Sequence, residues 1–208
     1  PRVVLLSGVI TTPDLSLCRD PRYIRAAGYV VAQGPYGGRL HDMSEIPDYA
    51  GDLAALLDET LGKGGHVIIP SFAVGRTQEL LYFIREMKEK QLVKSVPNFT
   101  VVVDSPLAGE ATKIFSGDLR GYLDEEAIQA LKAGDLFRFP GLTVTESGEE
   151  SKALNLDPTP KVIISASGMC DAGRIRHHLK HNLWRPECTV VFVGFQAEGS
   201  LGRRLLNG

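Results

Sequence analysis

Four strong strand segments in this chain each end in a short polar turn: HVIIPSF (66–72), FTVVVDS (99–105), KVIISAS (161–167) and CTVVFVG (188–194). Three of the strongest strands are unbroken apolar runs, whereas a strand with one solvated face alternates apolar and polar residues. The pattern therefore predicts an α/β fold with a mainly parallel, doubly wound sheet and helices on both faces. We expect the strands at 66–71, 100–104, 161–166 and 189–194 to be adjacent and central.

Helical and strand-like stretches alternate along the rest of the chain. Helical periodicity and stop signals predict helices between the strands, the clearest being the amphipathic RTQELLYFIREMKEK. The predicted helices are 52–65, 76–90, 107–117, 124–132, about 171–183 and one beginning at 200–208. Further strands are predicted at 3–8, 29–34 and, more weakly, 142–147.

Composition excludes several classes of protein. The 208 residues are 43% apolar and 23% charged with a formal net charge of −2, so no global basic field attracts nucleic acid and any anion site must be local. The three cysteines are widely spaced and form no CxxC pair, which predicts neither disulfides nor a cysteine zinc site and favours a cytoplasmic protein. The apolar runs are too short to span a membrane.

The residues that follow the strands are the candidates for function. Ligands of open parallel sheets bind outside the carboxyl ends of the strands, and helix N-termini at those ends favour anions such as phosphate. Arg76 and Arg174 could add bidentate charge to such a site. Ser71, Asp104 and Ser167 can also be read as ordinary helix caps or turn residues, and that alternative stays open.

The histidines of the segment after 161–167 allow several interpretations. His177 and His181 are four residues apart on a predicted helix, a spacing that can hold a metal, but no carboxylate or third histidine stands nearby in sequence. A solvated helix face and a contact to phosphate are the alternatives. No GxGxxG follows a strand, so a dinucleotide site is not supported.

Four blocks of the chain, taken in order, resemble a known family. They are IIPSFAVGRTQELLYFI (68–84), VVVDSPLA (101–108), VIISASGMCDAGRIRHHL (162–179) and VVFVGFQAEGSLGRRLL (190–206). Together they resemble the β-CASP domain, which is inserted in metallo-β-lactamase-fold ribonucleases. The resemblance implies that residues 41–208 form a β-CASP domain and residues 1–40 a short C-terminal flank of a metallo-β-lactamase domain.

The N-terminal residues depart from the family pattern at two positions. Val9 stands where the family has an aspartate that bridges two zinc ions, and Gln33 where it has an acidic residue that orients a zinc-ligating histidine. The zinc motif HxHxDH of the family does not occur in this sequence. The resemblance thus implies an excised fragment without catalytic or metal-ligating residues of its own, with zinc expected in active full-length relatives.

What the resemblance implies about function is an RNA-clamping domain of a zinc-dependent, RNA-processing hydrolase. Its expected partners are single-stranded RNA and the metallo-β-lactamase domain of the same parent chain, with no membrane and with a homodimer left open. A catalytically inactive relative that acts as an RNA- or protein-binding scaffold is the alternative, and Val9 and Gln33 favour it. The expected RNA-binding residues are Ser71, Arg76, Ser105, Ser165, Ser167, Gly168, Arg174, His177 and His178.

Overall fold

The computed structural model of the chain describes residues 3–6, 17–20, 25–32, 48–117 and 121–208. Two compact units are formed, one from Pro1–Asp48 with Leu119–Gly134 and the other from Tyr49–Asp118 with Asp135–Gly208. The expected boundary between residues 40 and 41 lies outside the described residues, as do the family-motif positions Val9 and Gln33.

The described elements alternate between strands and helices. In chain order they are β1 (Val3–Leu6), β2 (Tyr29–Ala32), α1 (Tyr49–Gly62), β3 (Val67–Pro70), α2 (Arg76–Glu89), β4 (Thr100–Asp104), α3 (Pro106–Phe115), α4 (Glu125–Ala133), β5 (Leu142–Val144), α5 (Gly148–Leu154), β6 (Lys161–Ser165), α6 (Ile175–Asn182), β7 (Thr189–Val190) and α7 (Leu201–Asn207). In the first unit, β1 and β2 pair in parallel with Val3 opposite Tyr29.

The second unit is built on a five-stranded sheet in the order β5-β4-β6-β3-β7, with every pair of neighbours parallel. The steps from β3 to β4 and from β4 to β5 run toward one edge, whereas those from β5 to β6 and from β6 to β7 run toward the other. Because crossovers between parallel strands are right-handed, α2 and α3 cover one face while α5 and α6 cover the opposite face. The α/β fold class predicted from the sequence is confirmed.

The three inner strands carry the core of this sheet. Strands β3, β4 and β6 each contribute three side chains that are at most 2% exposed: Val67, Ile68, Ile69, Val101, Val102, Val103, Val162, Ile163 and Ile164. Burial on both faces explains why these strands read as unbroken apolar runs.

The segment 188–194 differs from its prediction. It is adjacent to the inner strands as expected, but β7 is two residues long and lies at an edge of the described sheet instead of its centre. Its apolar side chains are used against helices: Val190 and Phe192 pack on a buried cluster that includes Ile68 of β3 and Leu179 of α6. An unbroken apolar run indicates that both faces of a strand are covered. It does not indicate whether the strand pairs with one neighbouring strand or with two.

Helix α5 is absent from the sequence-based prediction. It begins with a capping box, in which the Ser147 hydroxyl accepts from the Glu150 amide at 3.1 Å while the Glu150 carboxylate accepts from the Ser147 amide at 3.3 Å. Ser151 is its one side chain described as buried, so the helix has no apolar stripe to reveal it. Among the residues described, no helix has the length and apolar character needed to cross a membrane.

Candidate functional site

The carboxyl ends of the three inner strands lie side by side. Ser165 at the end of β6 is the sheet partner of both Pro70 on β3 and Asp104 on β4. The Ser71 amide donates to the Ser165 carbonyl at 3.0 Å, and the Ser165 hydroxyl donates to the Asp104 carbonyl at 3.1 Å. The turns that follow these strands therefore adjoin at one edge of the sheet, which we call the carboxyl edge.

The turn of residues 194–199, which follows β7, adjoins the turn after β6. The side chain of Gln196 donates to the Gly168 carbonyl at 2.9 Å. The amide of Gly202, in the first turn of α7, donates to the Met169 carbonyl at 3.0 Å. All four post-strand turns singled out in the sequence thus form a continuous set of contacts.

A buried carboxylate joins the helices that approach this edge. Asp104 has no exposed side-chain surface, and each of its oxygens accepts two hydrogen bonds. Oδ1 accepts from the guanidinium of Arg174 at 2.9 Å and from the hydroxyl of Thr145. Oδ2 accepts from the hydroxyl of Ser151 at 2.6 Å and lies 2.6 Å from Nε2 of His178.

The environment of Asp104 keeps its carboxylate charged. Burial raises the pKa of this carboxyl, but hydrogen bonds from His178, Ser151 and Thr145 together outweigh burial and hold the pKa well below its ordinary value of 3.8. A carboxylate that accepts several hydrogen bonds and faces a guanidinium pays less for its lost hydration. The site therefore has a fixed negative centre beneath the exposed surface.

His178 is enclosed by the same network. Its side chain is fully buried, Nδ1 lies 3.0 Å from Oδ1 of Asn155, and the amide nitrogen of Asn155 donates to the Ser151 carbonyl at 3.3 Å. Both ring nitrogens thus lie within hydrogen-bonding distance of an oxygen, one from Asp104 and one from Asn155. In this arrangement His178 ties α6 to both β4 and α5.

The residues expected from the sequence to bind RNA divide into two groups. Ser71, Ser105, Ser165, Gly168 and His178 are buried, whereas Arg76 and His177 are exposed and Ser167 and Arg174 are partly exposed. The Ser105 hydroxyl caps α3 by accepting from the Ala108 amide at 3.3 Å. The Ser71 hydroxyl donates to the Phe72 carbonyl at 3.3 Å and accepts from Thr77 at 3.1 Å. The buried serines therefore organise the turns.

The turn between β6 and α6 is held by backbone contacts. The amide of Ile175 donates to the Ala166 carbonyl at 3.1 Å, and the Ser167 amide donates to the Ala172 carbonyl at 3.2 Å. Gly173 has φ +80°, and a Cβ there would lie 2.5 Å from the Ala166 oxygen. Burial raises the pKa of the nearby Cys170 thiol to about 11, so this cysteine packs as an apolar residue and offers no thiolate.

The described residues do not supply a metal-ligand set. No group of three or more His, Cys, Asp or Glu side chains in the described ranges could hold a metal ion. His177 and His181 are exposed and line, with Arg174 and Leu156, a shallow depression of about 310 Å³. Their exposure fits both alternatives to a metal site, namely a solvated helix face and a contact to phosphate.

Asp104 was expected among the functional candidates that follow the strands, with a cap or turn residue as the alternative, whereas Thr145, Ser151 and Asn155 were not predicted to belong to the site. One signal was available: Arg174 and His178 are four residues apart and so lie on the same side of a helix, which indicates a shared partner. The position of Ser151 could not be read, because α5 itself left no periodic pattern.

Comparisons with known proteins agree with the motifs. The family model described as the Beta-Casp domain matches residues 77–205. The chain is 36% identical over 205 residues to Ribonuclease TTHA0252 of Thermus thermophilus. This alignment covers 99% of this chain and 46% of that protein. It is 31% identical over 181 residues to Transcription termination factor FttA of Methanosarcina mazei, covering 86% of this chain and 28% of that protein.

A third relative is the RNase J-like protein of Methanocaldococcus jannaschii, which is 30% identical over 179 residues, covering 86% of this chain and 40% of that protein. The chain thus spans less than half the length of each of these three relatives. The resemblance drawn from the four sequence blocks is confirmed, because the family model spans more than half of the chain. The chain belongs to the Beta-Casp domain family.

Proposed function

We propose that this chain holds single-stranded RNA for an RNA-processing hydrolase of metallo-β-lactamase fold, with the carboxyl edge as the binding surface. The names of its relatives, a ribonuclease, an RNase J-like protein and transcription termination factors, support RNA as the ligand. Catalysis would belong to the metallo-β-lactamase domain of the parent chain, since the described residues contain no metal-ligand cluster.

The observation that carries the proposal is the convergence of the post-strand turns with cations beside them. Arg76 begins α2 directly after the turn that follows β3, and its side chain is 47% exposed. Arg174 is partly exposed, and the hydrogen bonds made within the described part of the chain use three of its five N–H groups. Its remaining N–H groups suit phosphate oxygens, which Arg binds in a bidentate manner.

The nine residues expected from the sequence have two roles in this proposal. The exposed or partly exposed Arg76, Ser167, Arg174 and His177 contact the RNA backbone. The buried Ser71, Ser105, Ser165, Gly168 and His178 shape the turns that present those groups. Phosphate contacts of this kind position RNA without reading its sequence, so we expect little sequence preference.

The first unit supports a contact with the rest of a parent chain. Tyr29, Val30 and Val31 on β2 are each more than half exposed, although apolar residues in consecutive strand positions usually have a covered face. A metallo-β-lactamase domain of the same parent would cover them.

A scaffold role without hydrolysis is the second candidate, and Val9 is the observation that favours it. A valine cannot replace a metal-bridging aspartate, so a parent with Val9 lacks one ligand of the family's zinc pair. An assay of the full-length parent on single-stranded RNA, with zinc present, separates the two candidates. Cleavage that needs zinc supports the hydrolase, whereas binding without cleavage supports the scaffold.

The test of the carboxyl edge is RNA binding by the 208-residue chain. Fluorescence anisotropy with a labelled single-stranded oligomer should detect weak binding that falls steeply between about 50 and 200 mM salt, because phosphate contacts release counterions. Arg174→Ala should weaken binding about tenfold for all sequences alike. Arg76→Ala should weaken it several-fold and lower the salt slope by about one.

Lys63→Ala is the matched control, since Lys63 is an exposed cation that precedes β3 at the other end of that strand. It should leave affinity unchanged. Because Arg174→Ala also leaves Asp104 without its guanidinium, a urea melt of each variant must show the folded state under the binding conditions. Affinity that ignores salt, or that Lys63→Ala lowers as much as Arg76→Ala does, contradicts the proposed surface.

A further inference from the structure

Phe72 is an exposed aromatic residue at the carboxyl edge. It lies two residues beyond the end of β3 and is 52% exposed, and Val74 in the same loop is 59% exposed. Binding residues are often found on loops that a rigid scaffold positions, so an aromatic side chain held at the surface of such a loop is a candidate contact for a ligand.

The ring of Phe72 rests on the turn that follows β6. A Cβ added to Gly168 would lie 2.9 Å from Cδ2 and 3.0 Å from Cε2 of that ring, so the ring would have to shift to admit it. The ring therefore touches the backbone of Gly168 with no side chain between them. The Cγ, Cδ2 and Cε2 atoms of the ring lie against the turn, while about half of the residue stays open to solvent.

The backbone at Phe72 is fixed in this position. Its carbonyl accepts from the Thr77 hydroxyl at 2.7 Å and from the Ser71 hydroxyl at 3.3 Å. The Ser71 amide is in turn bonded to Ser165 of β6. A ligand that uses this ring meets a preorganised surface, so little conformational entropy is lost on binding.

A hydroxyl residue and a cation stand close in the chain to the two residues of this contact, and the cation, Arg76, also pairs with Glu79 at 2.6 Å. Ser167 precedes Gly168 in the supporting turn and is partly exposed, and Arg76 follows Phe72 by four residues with a side chain that is 47% exposed. Proteins that bind single strands combine an aromatic surface for the bases with hydroxyls and cations for the backbone. The turns around Phe72 offer the same combination of an aromatic ring, a hydroxyl and a cation.

We propose that Phe72, seated on Gly168, is a stacking platform for one unpaired base of single-stranded RNA. The inference rests on the proposed function and extends it from contacts with the phosphates to a contact with a base. It adds a residue that neither the sequence motifs nor the relatives' names assign to binding.

The experiment compares two labelled oligomers of equal length and charge, one of adenylate and one with abasic ribose-phosphate units. Stacking needs a base, so Phe72→Leu should weaken binding of the adenylate oligomer about tenfold and leave the abasic oligomer unchanged. Phe72→Trp, which keeps an aromatic face, should bind adenylate at least as well as the parent does. Gly168→Ala should lower adenylate binding as well, because the added methyl displaces the ring.

Trp184→Leu is the matched control, since Trp184 is 75% exposed but precedes β7 near its amino end. It should leave both affinities unchanged. Equal losses on both oligomers with Phe72→Leu, or no loss on either, overturn the stacking platform and leave the phosphate-binding edge standing. If Phe72→Leu unfolds, Phe72→Trp still decides, because a weaker adenylate complex contradicts stacking. If the unsubstituted 208-residue chain binds neither oligomer, both the platform and the proposed function are overturned.

Discussion

Asp104 accepts hydrogen bonds from side chains of two helices and of the segment after β5. His178 lies in α6 and Arg174 directly precedes that helix. Ser151 lies in α5, and Thr145 follows β5. Removing one member of a buried charged group leaves its partners desolvated and unpaired, which costs more than the net worth of the interaction. His178 is fully buried, whereas Arg174 keeps 26% of its side chain in solvent and is partly screened.

Asp104→Asn is therefore expected to destabilise the protein strongly. It keeps the shape of the side chain but removes the charge and turns one acceptor into a donor. We expect the free energy of unfolding at pH 7 to fall by about 3 kcal/mol, measured by urea denaturation. Glu59→Gln, which breaks the exposed pair with Lys63, should change it by less than about 0.5 kcal/mol. Similar losses for the two variants would contradict the role given to the buried network.

The same variant predicts a pH dependence. The folded pKa of Asp104 lies below its unfolded value of about 3.9. At pH values between these two pKa values, the folded state therefore binds fewer protons than the unfolded state. The stabilisation is complete above about pH 4 and is lost as the pH falls through the folded pKa. The difference in stability between the parent and Asp104→Asn should thus stay constant from pH 7 to about 5 and shrink below about 4. A difference that grows in acid would be the opposite of this expectation.

At the scale of elements, the turn from β6 into α6 decides where Arg174 and His178 point. The bond from the Ile175 amide to the Ala166 carbonyl brings the start of α6 back onto the end of β6. This close return is possible because Gly173 adopts a positive φ and has no Cβ to meet the Ala166 oxygen. The glycine therefore belongs to the geometry of the site although it makes no contact within the Asp104 network.

Gly173→Ala tests this turn against a matched glycine. Gly64 has a similar φ of +84° but no atom within 4 Å of an added Cβ, whereas at Gly173 the Cβ would lie 2.5 Å from a backbone oxygen. Gly64→Ala should cost about 1 kcal/mol through its backbone conformation alone. Gly173→Ala should cost roughly 2 to 3 kcal/mol, because the turn must also open. Equal urea midpoints for the two variants would show that the close return does not matter.

At the scale of the whole molecule, the prediction concerns metal. The sequence has no HxHxDH, and the described ranges hold no cluster of three ligating side chains. We expect the 208-residue chain, once washed with chelator, to contain well below one zinc ion per molecule and to melt at the same temperature with and without chelator. Elemental analysis and a thermal melt measure this. One tightly held zinc per chain would contradict it and would direct attention to residues outside the described ranges.

Much of the fold can be predicted from the sequence, because buried strands and family motifs both produce recognisable patterns in consecutive residues. The unbroken apolar runs of β3, β4 and β6 predict a parallel sheet, since a strand covered on both faces has no polar position to alternate with. The turns after these strands were identified for the same reason: parallel strands end at a common edge. The four sequence blocks were enough to identify the family.

The partners of particular side chains were decided by the tertiary structure, since they depend on contacts between residues far apart in the chain. His178 and Ser165 have the chemistry of phosphate ligands in the sequence, yet folding brings His178 to Asp104, 74 positions away, and buries both. Helix α5 has no apolar stripe, so its Ser151 becomes a partner of Asp104 through packing alone. Phe72 reads as one more apolar residue after a strand, and only the fold brings its ring against Gly168 in a distant turn. The local sequence pattern shows which side chains of a helix or strand face the core. The partner of a polar or exposed residue depends instead on which distant segment the fold brings against it.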